Sequence, residues 1–135
     1  MNWYKKANQI NNPQDPQDPQ DEEISNQLQE IVNNLTNQYE GLDLYAWYGN
    51  GYIEIAKIEI PPEKRNQGIG HKVIETIKNF ADNINKAVVV RPEPQQGKKK
   101  KLDNFYKDLG FIKNKGRNTD YQLSSPFAPT MYWKP

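Results

Sequence analysis

Six residues, Arg65-Asn66-Gln67-Gly68-Ile69-Gly70, carry the densest chemical signal in this chain. They follow an apolar run, Ile58-Glu59-Ile60, and a Pro61-Pro62 break. They lead into a segment whose Ile69, Val73, Ile74, Ile77 and Phe80 share one helical face. Strand, glycine loop and helix present backbone N–H groups at a helix N-terminus, where the helix dipole is positive and anions bind. Gly68 and Gly70 leave room for a phosphate to approach the main chain. The expected ligand is therefore phosphorylated.

Spacing narrows the choice. A P-loop needs four residues between its glycines and then Gly-Lys-Ser/Thr, which is absent. A dinucleotide fingerprint needs a third glycine, but Gly70 is followed by His71, Lys72 and Val73. Arg-x-x-Gly-x-Gly after a strand and a proline resembles the acyl-CoA loop of the GNAT family of N-acetyltransferases. A second stretch, Asn104-Phe105-Tyr106-Lys107-Asp108-Leu109-Gly110-Phe111, is similar to the family's Phe-Tyr-x-x-x-Gly-Phe helix and strand, in the family's order. The resemblance covers Leu42 to Phe111 well, Ile112 to Pro135 loosely, and the first forty residues not at all.

The resemblance implies a single α/β domain with a mixed, mostly antiparallel sheet, splayed parallel strands and flanking helices. It implies acetyl-CoA as cosubstrate and N-acetyl transfer to a primary amine. Ile58, Glu59 and Ile60 would meet the pantetheine arm. Arg65, Asn66, Gln67, Gly68, Ile69, Gly70 and His71 would meet the phosphates. Phe105 and Tyr106 would close the site, with Tyr106 as general acid toward the CoA sulfur. An ordinary phenol, of pKa about 10, is protonated at neutral pH and can donate. A core tyrosine on an apolar stripe is the alternative for Tyr106. Glu54 is the candidate base, with Glu59 its rival, and each could be only an outward strand residue. His71 is the sole histidine, but it sits in the first helical turn beside the phosphates rather than the thioester.

Where many family members have an asparagine seven residues before the tyrosine, this chain has Lys99. It is the second lysine of Lys98-Lys99-Lys100-Lys101, a run leading into the N-terminal end of the Tyr106 helix. Cations there oppose the helix dipole at about 0.3–1 kcal/mol each when close. A bound anion would compensate; a solvated loop would not feel the dipole.

The elements that must position these groups are legible in outline. Three Pro-Gln-Asp copies, Pro13 to Asp21, favour polyproline II and argue against helix. They divide an N-terminal arm and linker, 1–21, from the expected acetyltransferase domain, 22–135. The arm could be a tether, a recognition segment or a mere linker. Glu22 to Tyr39 carries Ile24, Leu28, Ile31, Val32, Leu35 and Tyr39 on one stripe and reads as an amphipathic helix. Leu42 to Tyr48 and Tyr52 to Ile60 read as strands of a hairpin around Gly49-Asn50-Gly51. In the second strand Ile53 and Ile55 share one parity and Ile58 and Ile60 the other. A bulge near Ala56-Lys57 would return all four to one face; burial on both faces would also fit the pattern. Ala87 to Arg91 is the next strand, parallel through a helical crossover. Leu102, Phe105, Tyr106 and Leu109 define a short helix closed by Gly110, and Phe111 to Lys115 a strand. Gly116 to Pro129 reads as loop, and Thr130 to Trp133 as a last edge strand.

Composition excludes other classes. The 135 residues suit one domain. No apolar run approaches the roughly 20 residues of a membrane span, and the N-terminus lacks a signal-peptide core. With no cysteine and one histidine, thiolate catalysis is excluded, no metal site is expected, and a cytoplasmic location is. The net charge of +1 conceals a dipole: residues 1–60 hold three basic and ten acidic residues, and residues 61–135 hold 15 basic and seven acidic. A basic half suits a polyanion such as CoA or a nucleic acid, and an uneven solvated surface would give the same split. The short front resembles small phage-encoded acetyltransferases, some of which inhibit bacterial defence proteins. It favours a protruding acceptor, such as a protein lysine, over an enclosed metabolite. Two other functions fit the sequence: a toxin acetylating aminoacyl-tRNA, and a non-catalytic CoA-binding or inhibitory module.

Overall fold

The computed structural model describes residues 19–92, 97–123 and 129–135. The arm and the first two Pro-Gln-Asp copies lie outside the described residues. Helix α1, Pro19–Gln38, starts earlier than the repeat implied and takes the third copy as its first turn. Proline is accepted there because a first-turn N–H has no helical partner to lose. Asp21 and Glu22 complement the dipole of that turn. Ile24, Leu28, Val32 and Leu35 are buried along one stripe.

Strands β1, Asp43–Gly49, and β2, Tyr52–Glu59, form an antiparallel hairpin in which Gly49 pairs with Tyr52. Asn50 and Gly51 turn the chain at φ 57° and 84°, the left-handed pair that a two-residue hairpin needs. The expected bulge is present. Tyr45 faces Lys57 and Ala46 faces Ile55, so Ala56 is the extra residue. Ile53 and Ile55 are in the main core, and Ile58 and Ile60 pack against the same cluster.

Helix α2, Ile69–Asn83, crosses to β3, Val88–Val90, which pairs parallel to β2. Helix α3, Lys99–Asp108, leads to β4, Ile112–Lys113, and the chain ends with β5, Met131–Trp133. The sheet order is β1-β2-β3-β5-β4. The last strand is therefore not an edge: β5 inserts antiparallel between β3 and β4, and β4 takes the edge. All three helices contribute to one large core, centred on Leu28, Ile53, Val73, Ile74, Ile77, Val88 and Phe111. A small cluster, Tyr52, Val89, Leu123 and Tyr132, occupies the other strand parity. Among the described residues no helix is long and apolar enough to cross a membrane.

Candidate active site

After β2 the chain makes one short turn of 3-10 helix, Pro62–Lys64, and enters the glycine loop. The Arg65 Nε donates to the Ile60 carbonyl at 3.0 Å and fastens the loop to the strand end. Asn66 at φ 63° and Gly68 at φ 77° are left-handed, flanking Gln67. The first helical bond runs from Lys72 N–H to the Gly68 carbonyl at 3.1 Å. The amides of Ile69, Gly70 and His71 precede it and have no acceptor within the helix. No acidic residue stands in that turn and no side chain caps it.

The two glycines do different work. A Cβ at Gly68 would meet nothing within 4 Å, so this residue supplies a backbone conformation and open space. A Cβ at Gly70 would come within 3.0 Å of Phe105 Cζ and 3.2 Å of Ile60 Cδ1. Gly70 thus lets α2 seat against Phe105 and β2. The sequence reading that both glycines clear space for phosphate is corrected for Gly70.

The parallel ladder between β2 and β3 stops at the pair Ile55–Val90, beside the bulged Ala56. Beyond it the strands part, leaving that side of β2 without a β3 partner. A cleft of about 690 Å³ opens there, between the ends of β2 and β3, the glycine loop and α3. Of the residues read from sequence, Ile58, Glu59, Ile60, Arg65, Asn66, Phe105 and Tyr106 line it. Gln67, Gly68, Ile69, Gly70 and His71 are not among its lining residues; they form the rest of the loop and the first turn of α2, next in the chain to the lining residues Arg65 and Asn66. Among the described residues, Lys57, Arg65, Arg91, Lys98 and Lys101 bring five cations to the cleft against one acid, Glu59. Arg91 and Lys57 were not foreseen. Their only sequence signal is position, one residue past a buried strand and one past the bulge.

Tyr106 lies at the inner end of α3. It is 5% exposed, and burial pushes its phenol up to about 12. Its ring meets Phe105 and Phe111 edge to face at 5.1 and 5.7 Å. It both belongs to the core and lines the cleft, so the two sequence readings of it are compatible. His71 is exposed and stands edge-on to Phe105 at 4.8 Å.

Glu54 is elsewhere. Strand alternation turns it away from Ile53 and Ile55, it is 3% exposed, and it does not line the cleft. Its Oε1 lies 3.0 Å from Arg91 Nη2 and accepts no hydrogen bond. Burial raises its pKa, opposed by Arg91 and then Trp47. Glu59 is 60% exposed, 3.8 Å from Lys57. The cleft thus combines a basic lining, a strand edge with no β3 partner and a protonated phenol.

No family model matches the sequence, and no curated protein matches it. Solved structures do match. The anti-CRISPR protein AcrVA5 superposes with a TM-score of 0.52 at 20% identity, over 70% of this chain and 90% of that one. An acetyltransferase from Streptococcus agalactiae gives a TM-score of 0.52 at 15% identity, over 81% and 77%. Ard1 from Thermoplasma volcanium gives 0.50 at 16%, over 78% of each chain. Such neighbours are GNAT acetyltransferases, and enzymes of that fold use acetyl-CoA as cosubstrate. The element order, the parting of β2 from β3 and these superpositions identify the fold of this chain as that of the GNAT N-acetyltransferases.

Proposed function

We propose that this protein is an acetyl-CoA-dependent N-acetyltransferase whose acceptor is a primary amine on a macromolecule, in the first instance a protein lysine. The observation that carries the proposal is the cleft itself. Five cations line it, and Tyr106 stands at its inner end with a phenol held protonated by burial. The residues present fit acetyl-CoA: open space at Gly68, amides without helical acceptors at the start of α2, and a stretch of β2, Ala56 to Glu59, that pairs with β1 but has no β3 partner among the described residues.

In this reading Lys98, Lys101 and Arg65 neutralise phosphate charge, and the α2 amides orient it. The free edge of β2 offers backbone partners to an amide-bearing arm, as a strand edge does to an extended peptide. Bound there, acetyl-CoA supplies an activated acyl group and a thiolate leaving group. Tyr106 supplies the proton that the departing sulfur needs. Phe105 and Leu102 exclude water from the reacting end. Glu54, buried on the opposite strand parity and outside the cleft lining, takes the amine proton through water.

The test is to incubate host-cell lysate with radiolabelled acetyl-CoA and the protein, then separate protein, RNA and small molecules. Label in lysine-containing peptides supports the proposal, and label confined to aminoacyl-tRNA replaces the acceptor. Acetyl-CoA binding with no label in any fraction makes the protein a non-catalytic binding module.

A further inference from the structure

We propose that Arg91 is a positioning residue coupling the two faces of the site: it holds Glu54 while no anion is bound and yields to an anionic occupant of the cleft. This rests on the cosubstrate reading above. Arg91 is the first residue after β3, at the point where β2 and β3 part. Its side chain lines the cleft and is 38% exposed, while the carboxylate it faces is 3% exposed. It therefore touches both the basic cleft and a buried group outside the cleft lining.

The contact is close but incomplete. Arg91 Nη2 lies 3.0 Å from Glu54 Oε1, yet that oxygen accepts no hydrogen bond. A guanidinium has five donors in a rigid fork and gains most from bidentate, charge-assisted partners. A phosphate or a departing thiolate in the cleft offers a stronger partner than the single Coulombic contact to Glu54. The β1 residue in register with Glu54 is Trp47, which is uncharged.

The consequence is chemical. Among the described residues Arg91 is the one charged group acting on Glu54; across the sheet the register partner of Glu54 on β3 is the apolar Val89. A buried carboxylate that loses its neighbouring cation binds a proton more tightly. Glu54 thus gains basicity when the cleft is filled. It then accepts, through water, the proton that the acceptor ammonium gives up, leaving a neutral amine and a neutral carboxyl. Acetyl-CoA binds first, and the base is primed by it.

The experiment follows the Glu54 carboxyl by carbon-13 NMR on glutamate-labelled protein, assigned with Glu54→Gln. Titration midpoints are taken for the wild type, Arg91→Gln and Arg91→Lys, each with and without CoA, and melting temperatures are read in parallel. CoA should move the wild-type midpoint upward. Arg91→Gln should start at the raised midpoint and stay there, while Arg91→Lys should start near the wild type. A merely structural arginine would change stability without this pattern. If Arg91→Gln leaves the ligand-free midpoint in place, the coupling is overturned. If CoA raises the melting temperature but not the wild-type midpoint, the coupling alone is overturned. If CoA changes neither, the cosubstrate reading falls and the coupling with it.

Discussion

The Phe111 amide donates to the Tyr106 carbonyl at 3.0 Å, and the two rings meet edge to face with centroids 5.7 Å apart. Between them Gly110, at φ 89°, donates to the Lys107 carbonyl at 2.9 Å. These are the two bonds and the apolar contact of a Schellman helix stop. The stop fixes the end of α3, and so the placement of Tyr106, directly to the core. Gly110→Ala should cost about 1–2 kcal/mol for a left-handed alanine. It also crowds Trp133 Cδ1, 3.3 Å from the new Cβ. A lower melting temperature with a reduced kcat is expected; an unchanged kcat would mean the stop does not position the catalytic end.

Tyr106→Phe keeps the ring contacts and removes only the hydroxyl. Stability and CoA affinity should change little, and kcat should fall by roughly 10²-fold or more, as for a lost general acid. With the phenol at about 12, Tyr106 stays protonated across the working range and should add no alkaline loss of activity below about pH 10. Wild-type turnover in the variant would remove Tyr106 from the mechanism and leave solvent to protonate the thiolate.

The loop glycines should separate by mechanism. Gly70→Ala should destabilise by about 1–3 kcal/mol through overpacking against Phe105 and Ile60. Gly68→Val meets open space but forces a β-branched residue to φ 77°, so it should lose CoA affinity chiefly by refolding the loop. Calorimetric titration of both variants with CoA checks this. Full affinity in Gly68→Val sinks the loop assignment.

Within the lysine run only Lys98 and Lys101 line the cleft. Changing those two to serine should weaken CoA binding and flatten its dependence on salt, because screening then has fewer charges to act on. Changing Lys99 and Lys100 instead should do neither. Equal effects from both pairs would show a diffuse field rather than a contact.

Burial holds Glu54 above the ordinary carboxylate value, so the folded protein binds that proton more tightly than the unfolded chain does. This contribution to stability is fully present below the unfolded value and is lost as pH rises through the folded one. Once ionised, the buried group therefore costs stability. Glu54→Gln should melt higher than the wild type at pH 7, with the advantage shrinking toward about pH 4. Its acetyl transfer should fall if Glu54 is the base. An advantage that grows on acidification would reverse the sign assigned to Glu54.

Local signals made much of this protein readable from sequence. The glycine loop was legible because Gly68 answers a backbone demand at its own position. The bulge was legible because the parity of Ile53 and Ile55 conflicts with that of Ile58 and Ile60, and only an extra residue reconciles them. The helix carrying Tyr106 announced itself by its apolar spacing and by Gly110 at its end. Other features depend on residues far apart in sequence. Met131–Trp133 became an interior strand because β3 and β4 each offered it a free edge, which no local pattern records. Gly70 serves packing because Phe105, 35 positions away, arrives against it. Glu54 acquired its cation because Arg91 follows a strand in register with its own. Backbone conformation and periodicity are short-range and are written in the chain. Strand order, close packing and ion pairing across the sheet exist only once its distant parts meet.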